Sequence, residues 1–306
     1  MKNIVFYLVV VYAFICMNLS CLAQTPYEDP TWVLTWSDEF NGTSIDASKW
    51  GGQWPWNQQS YGRCLGDTTI VYTNEDYLAF TKRNFENNSC SGGIMTSSVK
   101  KEEITGDVWD RWELVGGNWI PVDSTVSWHY SKAMLFSKRN FRFGYIDFKF
   151  KFPVFTPPAS GKGIGACLWM WETLPYDDTI AQSEIDIFEA RGLNNSGGPN
   201  VHFAQTTGAP QYDLFYWGGI PGPCLTPDFS DYRRVSAEWS SGYIKFFLDD
   251  SLVATNIEHS GDLRNMPFIL DMGHPTLNYC DSVDIVNTQY PWEWKVDYIR
   301  ISLVSD

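Results

Sequence analysis

Apolar and polar residues alternate along much of this chain with the two-residue period of a β-strand, and no window carries a helical stripe. The clearest case runs from Phe141 to Pro153. Ile146, Phe148, Phe150 and Phe152 share one face there, and Asp147, Lys149 and Lys151 share the other. Between Arg234 and Asn256 two apolar stretches, Val235–Trp239 and Tyr243–Leu248, flank Ser240-Ser241-Gly242, which predicts a hairpin; Asp249-Asp250-Ser251 opens a further turn. The closing stretch from Trp294 to Leu303 is less regular. Trp294, Val296 and Tyr298 fall on one side and Ile299, Ile301 and Leu303 on the other, so either both faces are covered or the strand shifts phase near Tyr298. Many short strands punctuated by Gly, Asn, Asp and Pro predict an all-β protein, a sandwich or barrel. Lys100 to Ser127 breaks the rhythm. It is polar, holds Trp109, Trp112 and Trp119, and reads as an inserted loop or irregular hairpin.

The N-terminus has a different pattern. Lys2 precedes an unbroken apolar run from Ile4 to Met17, and Cys21-Leu22-Ala23 supplies a small-residue end. The expectation is a secretory signal over residues 1–23, leaving 24–306 as a single domain that is secreted or periplasmic. The run is shorter than the ~20 residues of a membrane span, so no transmembrane segment is expected after cleavage. Lipid anchoring through Cys21 is a second reading, although Asn18 stands where a bacterial lipidation signal has Leu. Export permits disulfides. Cys64, Cys90, Cys167, Cys224 and Cys280 would remain, an odd number that leaves at least one thiol free. Cys167, in an apolar stretch, is expected to be the free and buried one.

Composition narrows the function. The formal net charge of −14 repels a phosphate backbone and so argues against nucleic acid and anionic membranes. It also mildly disfavours strongly sulfated substrates and leaves neutral ones untouched. Fifteen tryptophans in 306 residues exceed what a core needs, so some are expected to face a ligand.

The segment that carries chemistry is Ser183-Glu184-Ile185-Asp186-Ile187-Phe188-Glu189. Its β-branched isoleucines favour a strand. On a strand, Glu184 and Asp186 share a face while Ile185 and Ile187 turn to the core. Glu189 has the wrong parity, and one β-bulge near Phe188 restores it. The two glutamates then lie roughly 13 Å apart at Cα, and by leaning together their carboxyl groups reach the ~5–5.5 Å of a retaining glycosidase. Asp186 between them can orient one glutamate and raise the proton affinity of its neighbours, as a general acid requires. Three solvated charges, or a calcium site, are the competing readings. Trp169 and Trp171 share a face of the preceding strand and are candidates to flank the acids and stack on sugar rings, with a core role as the alternative. Trp54 and Trp56, in a loop-like stretch, are further stacking candidates. His202 is placed to bond a sugar hydroxyl or to serve structure, and His129, His259 and His274 show no partner set.

These residues resemble glycoside hydrolase family 16. Leu34 to Gly42 with Ala47 to Trp50 is similar to the family's opening, Ser131 to Pro153 to an internal stretch, Glu184 to Glu189 to its bulged E-x-D-x-x-E signature, and Trp294 to Ser302 to its closing strand. The resemblance implies a β-sandwich jelly roll with a concave substrate cleft. It makes Glu184 the nucleophile, Glu189 the acid/base and Asp186 the assisting carboxylate. The bulged signature is the one laminarinases and algal-galactan enzymes carry. The resemblance further implies an endo-acting retaining enzyme on a polysaccharide, a β-1,3 or mixed-linkage glucan first. An algal β-galactan (agarase- or carrageenase-like) comes second, with a transglycosylase or a non-catalytic carbohydrate-binding jelly roll as further alternatives. No cofactor is required. A structural calcium, held by an opening-strand acid and a closing-strand Asp, is optional, and Glu39 and Asp297 occupy similar positions. A monomer is expected. The insert at Lys100–Ser127 and the stretch Trp54–Cys64 depart from the family pattern where subsites are usually built.

Overall fold

A computed structural model describes residues 31–52, 79–81, 85–108, 112–115, 118–121, 124–153, 164–171, 182–190, 197–204, 212–213, 229–257, 260–273 and 288–304. The expected signal segment and Cys21, the loop with Trp54 and Trp56, and Cys64, Cys224, Cys280, His259 and His274 lie outside them. The described residues form strands and no helix. In chain order these are β1 (Trp32–Asp38), β2 (Trp50–Gly51), β3 (Ala79–Thr81), β4 (Asn88–Ser91), β5 (Ile94–Val108), β6 (Trp112–Val115), β7 (Asn118–Pro121), β8 (Ser124–Lys132), β9 (Met134–Ser137) and β10 (Gly144–Lys151). Then follow β11 (Gly165–Trp171), β12 (Gln182–Glu189), β13 (Gly198–Ala204), β14 (Tyr212–Asp213), β15 (Arg233–Trp239), β16 (Ile244–Leu248), β17 (Ser251–Asn256), β18 (Phe268–Gly273) and β19 (Trp292–Val304).

Two sheets make a jelly-roll sandwich. The ten-stranded sheet runs β17-β16-β15-β10-β19-β5-β8-β3, with β1 on β19 and β4 on β5. The seven-stranded sheet runs β14-β13-β12-β11-β18-β9-β2. Pairing is antiparallel except between β3 and β8. The sequence alternation builds the layer between the sheets. Ile146, Phe148, Phe150 and Phe152 are all buried in it, and so are Ala166, Leu168 and Met170 of β11 and Ile185, Ile187 and Phe188 of β12. Phe150 is a hub, with ring centroids 4.7 Å from Phe148, 5.0 Å from Phe188 and 5.2 Å from Phe229. The layer therefore supports the backbone of β12 directly from below.

The predicted turns form as expected. Ser240–Gly242 joins β15 to β16, closed by the Ser240 N–H on the Tyr243 carbonyl. Asp249 and Asp250 join β16 to β17 with positive φ angles of 44° and 68°, the conformation of a tight two-residue hairpin that Asp tolerates better than most residues. The closing strand does shift phase. Lys149 pairs with Tyr298 but Phe150 with Val296, so Asp297 is bulged out. Trp294, Val296, Ile299 and Ile301 thereby all face the core.

Asp147, on the charged face of β10, is only 2% exposed. Arg234 Nε lies 3.0 Å from its Oδ1, and the Tyr298 hydroxyl donates to its Oδ2 at 3.3 Å. Burial pushes its carboxyl up to about 6 even against these partners. Of the two readings of Lys100–Ser127, inserted loop or irregular hairpin, the described residues form the hairpin. β5 and β8 pair from Val99–Lys132 out to Val108–Ser124, interrupted by a bulge between Lys101 and Ile104, and β6 and β7 pair as a separate hairpin between them. Cys167 is free but only half-buried, and Cys90 is a second free thiol, fully buried, whose proton burial holds up to about 11.

Candidate active site

Directly opposed residues of antiparallel strands share a face, so register places each site side chain. On β11 and β12, Trp171 stands opposite Glu184 and Trp169 opposite Asp186, while Leu168 stands opposite Phe188 and Cys167 opposite Glu189. The extra residue on β12 is therefore Ile187. Ile187 and Phe188 both turn into the core, and Glu189 regains the face of Glu184 and Asp186. The same slip appears against β13, where Glu184 meets His202, Asp186 meets Asn200 and Glu189 meets Gly198. The face of the seven-stranded sheet turned away from the core thus carries three rows: Trp171–Glu184–His202, Trp169–Asp186–Asn200 and Cys167–Glu189–Gly198.

The bulge is packed in place. At Gly197 an added Cβ would stand 2.4 Å from the Phe188 ring and 2.7 Å from the Glu189 carbonyl oxygen. Gly197→Ala is expected to displace Glu189 and lower kcat/KM by about 100-fold, the order of loss that a ~1 Å misplacement causes. Kinetics beside near-ultraviolet circular dichroism would check this, with the folded signal retained.

The acids are crowded. One donor atom each from Glu184, Asp186 and His202 lies within 4.8 Å of the others, and Asp186 is 3% exposed. The Glu184 carboxyl is pushed up to about 8, first by burial and next by the charge of Asp186; Glu189 adds to the rise and His202 opposes it. The cluster therefore keeps a proton near neutral pH, because adjacent carboxylates away from water do not all ionise. His202 Nε2 lies 3.1 Å from Asp186 Oδ2 and 2.9 Å from Asn200 Nδ2.

The indoles differ. Trp169 and Trp171 stack on each other, centroids 5.7 Å apart and planes 18° from parallel. Trp169 is 8% exposed and belongs to a small cluster with Met134 and Ile269, with Phe136 and Cys167 packed against it. Trp171 is half-buried and is the indole with open surface beside Glu184. Sequence reasoning missed Asn200, although it shares the parity of His202, and the ion pair Lys132–Asp271. Asp271 stands opposite Cys167, a polar residue inside an apolar run, and Lys132 Nζ donates to its two oxygens at 2.7 and 3.0 Å. The Cys167 thiol, hemmed in by burial, Glu189, Asp186 and Asp271, holds its proton well above the usual thiol range and is a poor nucleophile.

Glu39 and Asp297 do not fit a calcium cage as they are placed. Glu39 accepts from Arg300 Nε and Nη2 at 2.8 and 2.7 Å, and Asp297 lies 2.6 Å from Lys149 Nζ. Both acids are already matched by cations. His129, for which the sequence showed no partner, bonds Glu103.

The comparisons agree with this geometry. The chain is 26% identical over 223 residues to glucan endo-1,3-beta-glucosidase A1 of Niallia circulans, covering 71% of this chain but only 28% of that longer protein. It is 26% identical over 293 residues to a beta-glucanase of Rhodothermus marinus, covering 89% of this chain and 85% of the relative. The fold superposes on the kappa-carrageenase of Pseudoalteromonas carrageenovora with a TM-score of 0.65 at 21% identity, over 92% of this chain and 99% of that one. The model of glycosyl hydrolases family 16 matches residues 66–273, more than half of the chain and the whole of β11 to β13, and the chain belongs to that family.

Proposed function

We propose that the protein is a secreted, endo-acting, retaining β-glycosidase whose substrate is a neutral β-glucan with 1,3 or mixed linkages. The observation that carries this reading is the single face shared by Glu184, Asp186 and Glu189 across the Ile187 bulge. Glu189 protonates the leaving oxygen while Glu184 attacks the anomeric carbon from the opposite side of the sugar. Glu189 then takes a proton from the incoming water, which releases the sugar with its original configuration. Asp186, between the two, bonds Glu184 and holds its carboxyl in line. Trp171 offers an indole face to the apolar side of a sugar ring next to Glu184, and Trp169 supports that indole from behind.

Charge supports a neutral chain over a sulfated one. The protein carries a net −14, and Lys132 spends its cation on Asp271. The relative from Niallia circulans is named for a 1,3-glucan activity. Incubation with laminarin, mixed-linkage glucan, agarose and carrageenan, followed by oligosaccharide analysis, tests the proposal. Release of a ladder of oligosaccharides from laminarin or mixed-linkage glucan is expected. Cleavage of agarose or carrageenan alone would move the substrate to the galactans. Binding without cleavage, unchanged by Glu184→Gln, would make the protein a carbohydrate-binding module.

A further inference from the structure

The hydrogen bonds of Asn200 fix which way the protons of the acid cluster point. Asn200 is 1% exposed, so its amide has no water to turn to. Its Oδ1 accepts the Val201 N–H at 2.9 Å. A flipped amide would set N–H against N–H there, so Nδ2 is the atom that faces His202, 2.9 Å from Nε2. An amide nitrogen only donates. Nε2 is therefore an acceptor, and the ring is neutral with its proton on Nδ1. That same Nε2 lies 3.1 Å from Asp186 Oδ2. Two acceptors at this distance repel unless a proton lies between them. The cluster retains a proton near neutral pH, and Glu184 shares a hydrogen bond with Asp186, so the chain Glu184–Asp186–His202–Asn200 is continuous.

We propose that Asn200 is a positioning residue: by donating to Nε2 of His202 it keeps that nitrogen an acceptor, draws the cluster's proton toward the Asp186–His202 contact, and leaves Glu184 as the carboxylate that attacks. This rests on the retaining-glycosidase reading of the same site. It also reconciles the crowding of Glu184 with its role, since a protonated carboxyl is a far weaker nucleophile toward an anomeric carbon than a carboxylate. The groups facing the chain are Glu189 on β12, Cys167 and the two indoles on β11, and Asp271 with Lys132 one strand beyond; Asp213 holds the register position opposite His202 on β14.

Nitrogen-15 spectra of the imidazoles in the intact protein test this without reference to activity, with His202 assigned by its loss in His202→Gln. At pH 7 the His202 ring is expected as the neutral Nδ1–H tautomer. In Asn200→Ala the Nε2–H tautomer becomes available, Asp186 becomes its acceptor and the proton returns to Glu184. The acid limb of the kcat profile then moves up by about one pH unit, so kcat near pH 6 falls about tenfold and recovers by pH 8 with KM little changed. Asn200→Asp, which replaces the donor with an acceptor, is expected to convert His202 to the imidazolium in the same spectra. An Nε2–H or charged His202 in the wild type, or a pH limb unmoved in Asn200→Ala, would overturn the proposal. Spectra that match with no glycan cleaved would instead leave the tautomer assignment standing and remove the glycosidase reading.

Discussion

Glu184→Gln is expected to lower kcat by at least about 10⁴-fold, since the covalent intermediate no longer forms. Glu189→Gln is expected to cost about 10²–10⁴-fold, the usual worth of a positioned acid/base. The two losses have different signatures. With an activated aryl leaving group that needs no protonation, Glu189→Ala keeps a fast first step and stalls at the intermediate, and azide then releases a β-glycosyl azide. Glu184→Ala gains nothing from a better leaving group alone, because its missing part is the attacking atom. Azide fills the vacated face there and gives the α-azide. Steady-state kinetics with aryl glycosides of the cleaved polysaccharide class, with and without azide, check both. Interchanged products would interchange the two roles.

The same substitution acts on stability in the opposite sense. The folded acid cluster around Glu184 holds a proton up to about pH 8, against the ordinary 4.5 of a free glutamate. Between those values the folded state binds more protons than the unfolded one, so the contribution of the cluster is most favourable below 4.5 and is lost as pH rises through 8. Gln at position 184 removes one of the crowded charges and with it the need for that proton. Urea unfolding is therefore expected to show Glu184→Gln gaining stability over the wild type as pH goes from 5 to 9. A constant difference across that range would place the retained proton outside the cluster.

Phe150→Ala is the second large effect, and it is structural. The ring is fully buried and touches Phe148, Phe152, Phe188, Phe229 and Trp294. Its removal is expected to cost about 3–5 kcal/mol, from lost transfer energy and the cavity left behind. Phe188 follows Ile187 and precedes Glu189, so the cavity opens directly under the bulge. Activity measured well below the unfolding midpoint should fall too. Leu at position 150 keeps most of the volume and should restore much of both, by equilibrium denaturation and by kinetics.

The sandwich was legible where one face of a strand is apolar throughout, as in Ile146 to Phe152, because a slip of one residue would expose every ring at once. The bulge at Ile187 was legible for a related reason. Three acids on a strand make chemical sense on one face only, and parity left Glu189 one residue out of step. Tyr298 gave the same kind of signal, an apolar run that changes sides. What stayed hidden depends on pairing between distant segments. In the sequence Asp147 is one of three charges on a strand face, and only the pairing of β10 with β15 and β19 brings Arg234 and Tyr298 beside it. Asn200 carries no signal of its own in the sequence, and only register sets it opposite Asp186. Cys167 reads as core because its neighbours are apolar, yet its parity with Trp169 and Trp171 puts it on the acid-bearing face. A thiol gives no sequence signal for which side of a sheet it takes.

Proton NMR of the first minutes of digestion tests the shared role of Glu184 and Glu189 most directly, by reading the anomeric configuration of the newly formed reducing end before mutarotation. Attack by Glu184 and a second displacement by water give the β anomer first, drifting later toward equilibrium. An α anomer at the earliest times would mean a single displacement, with water between two widely separated carboxylates, and would contradict the assignment of Glu184 as the nucleophile.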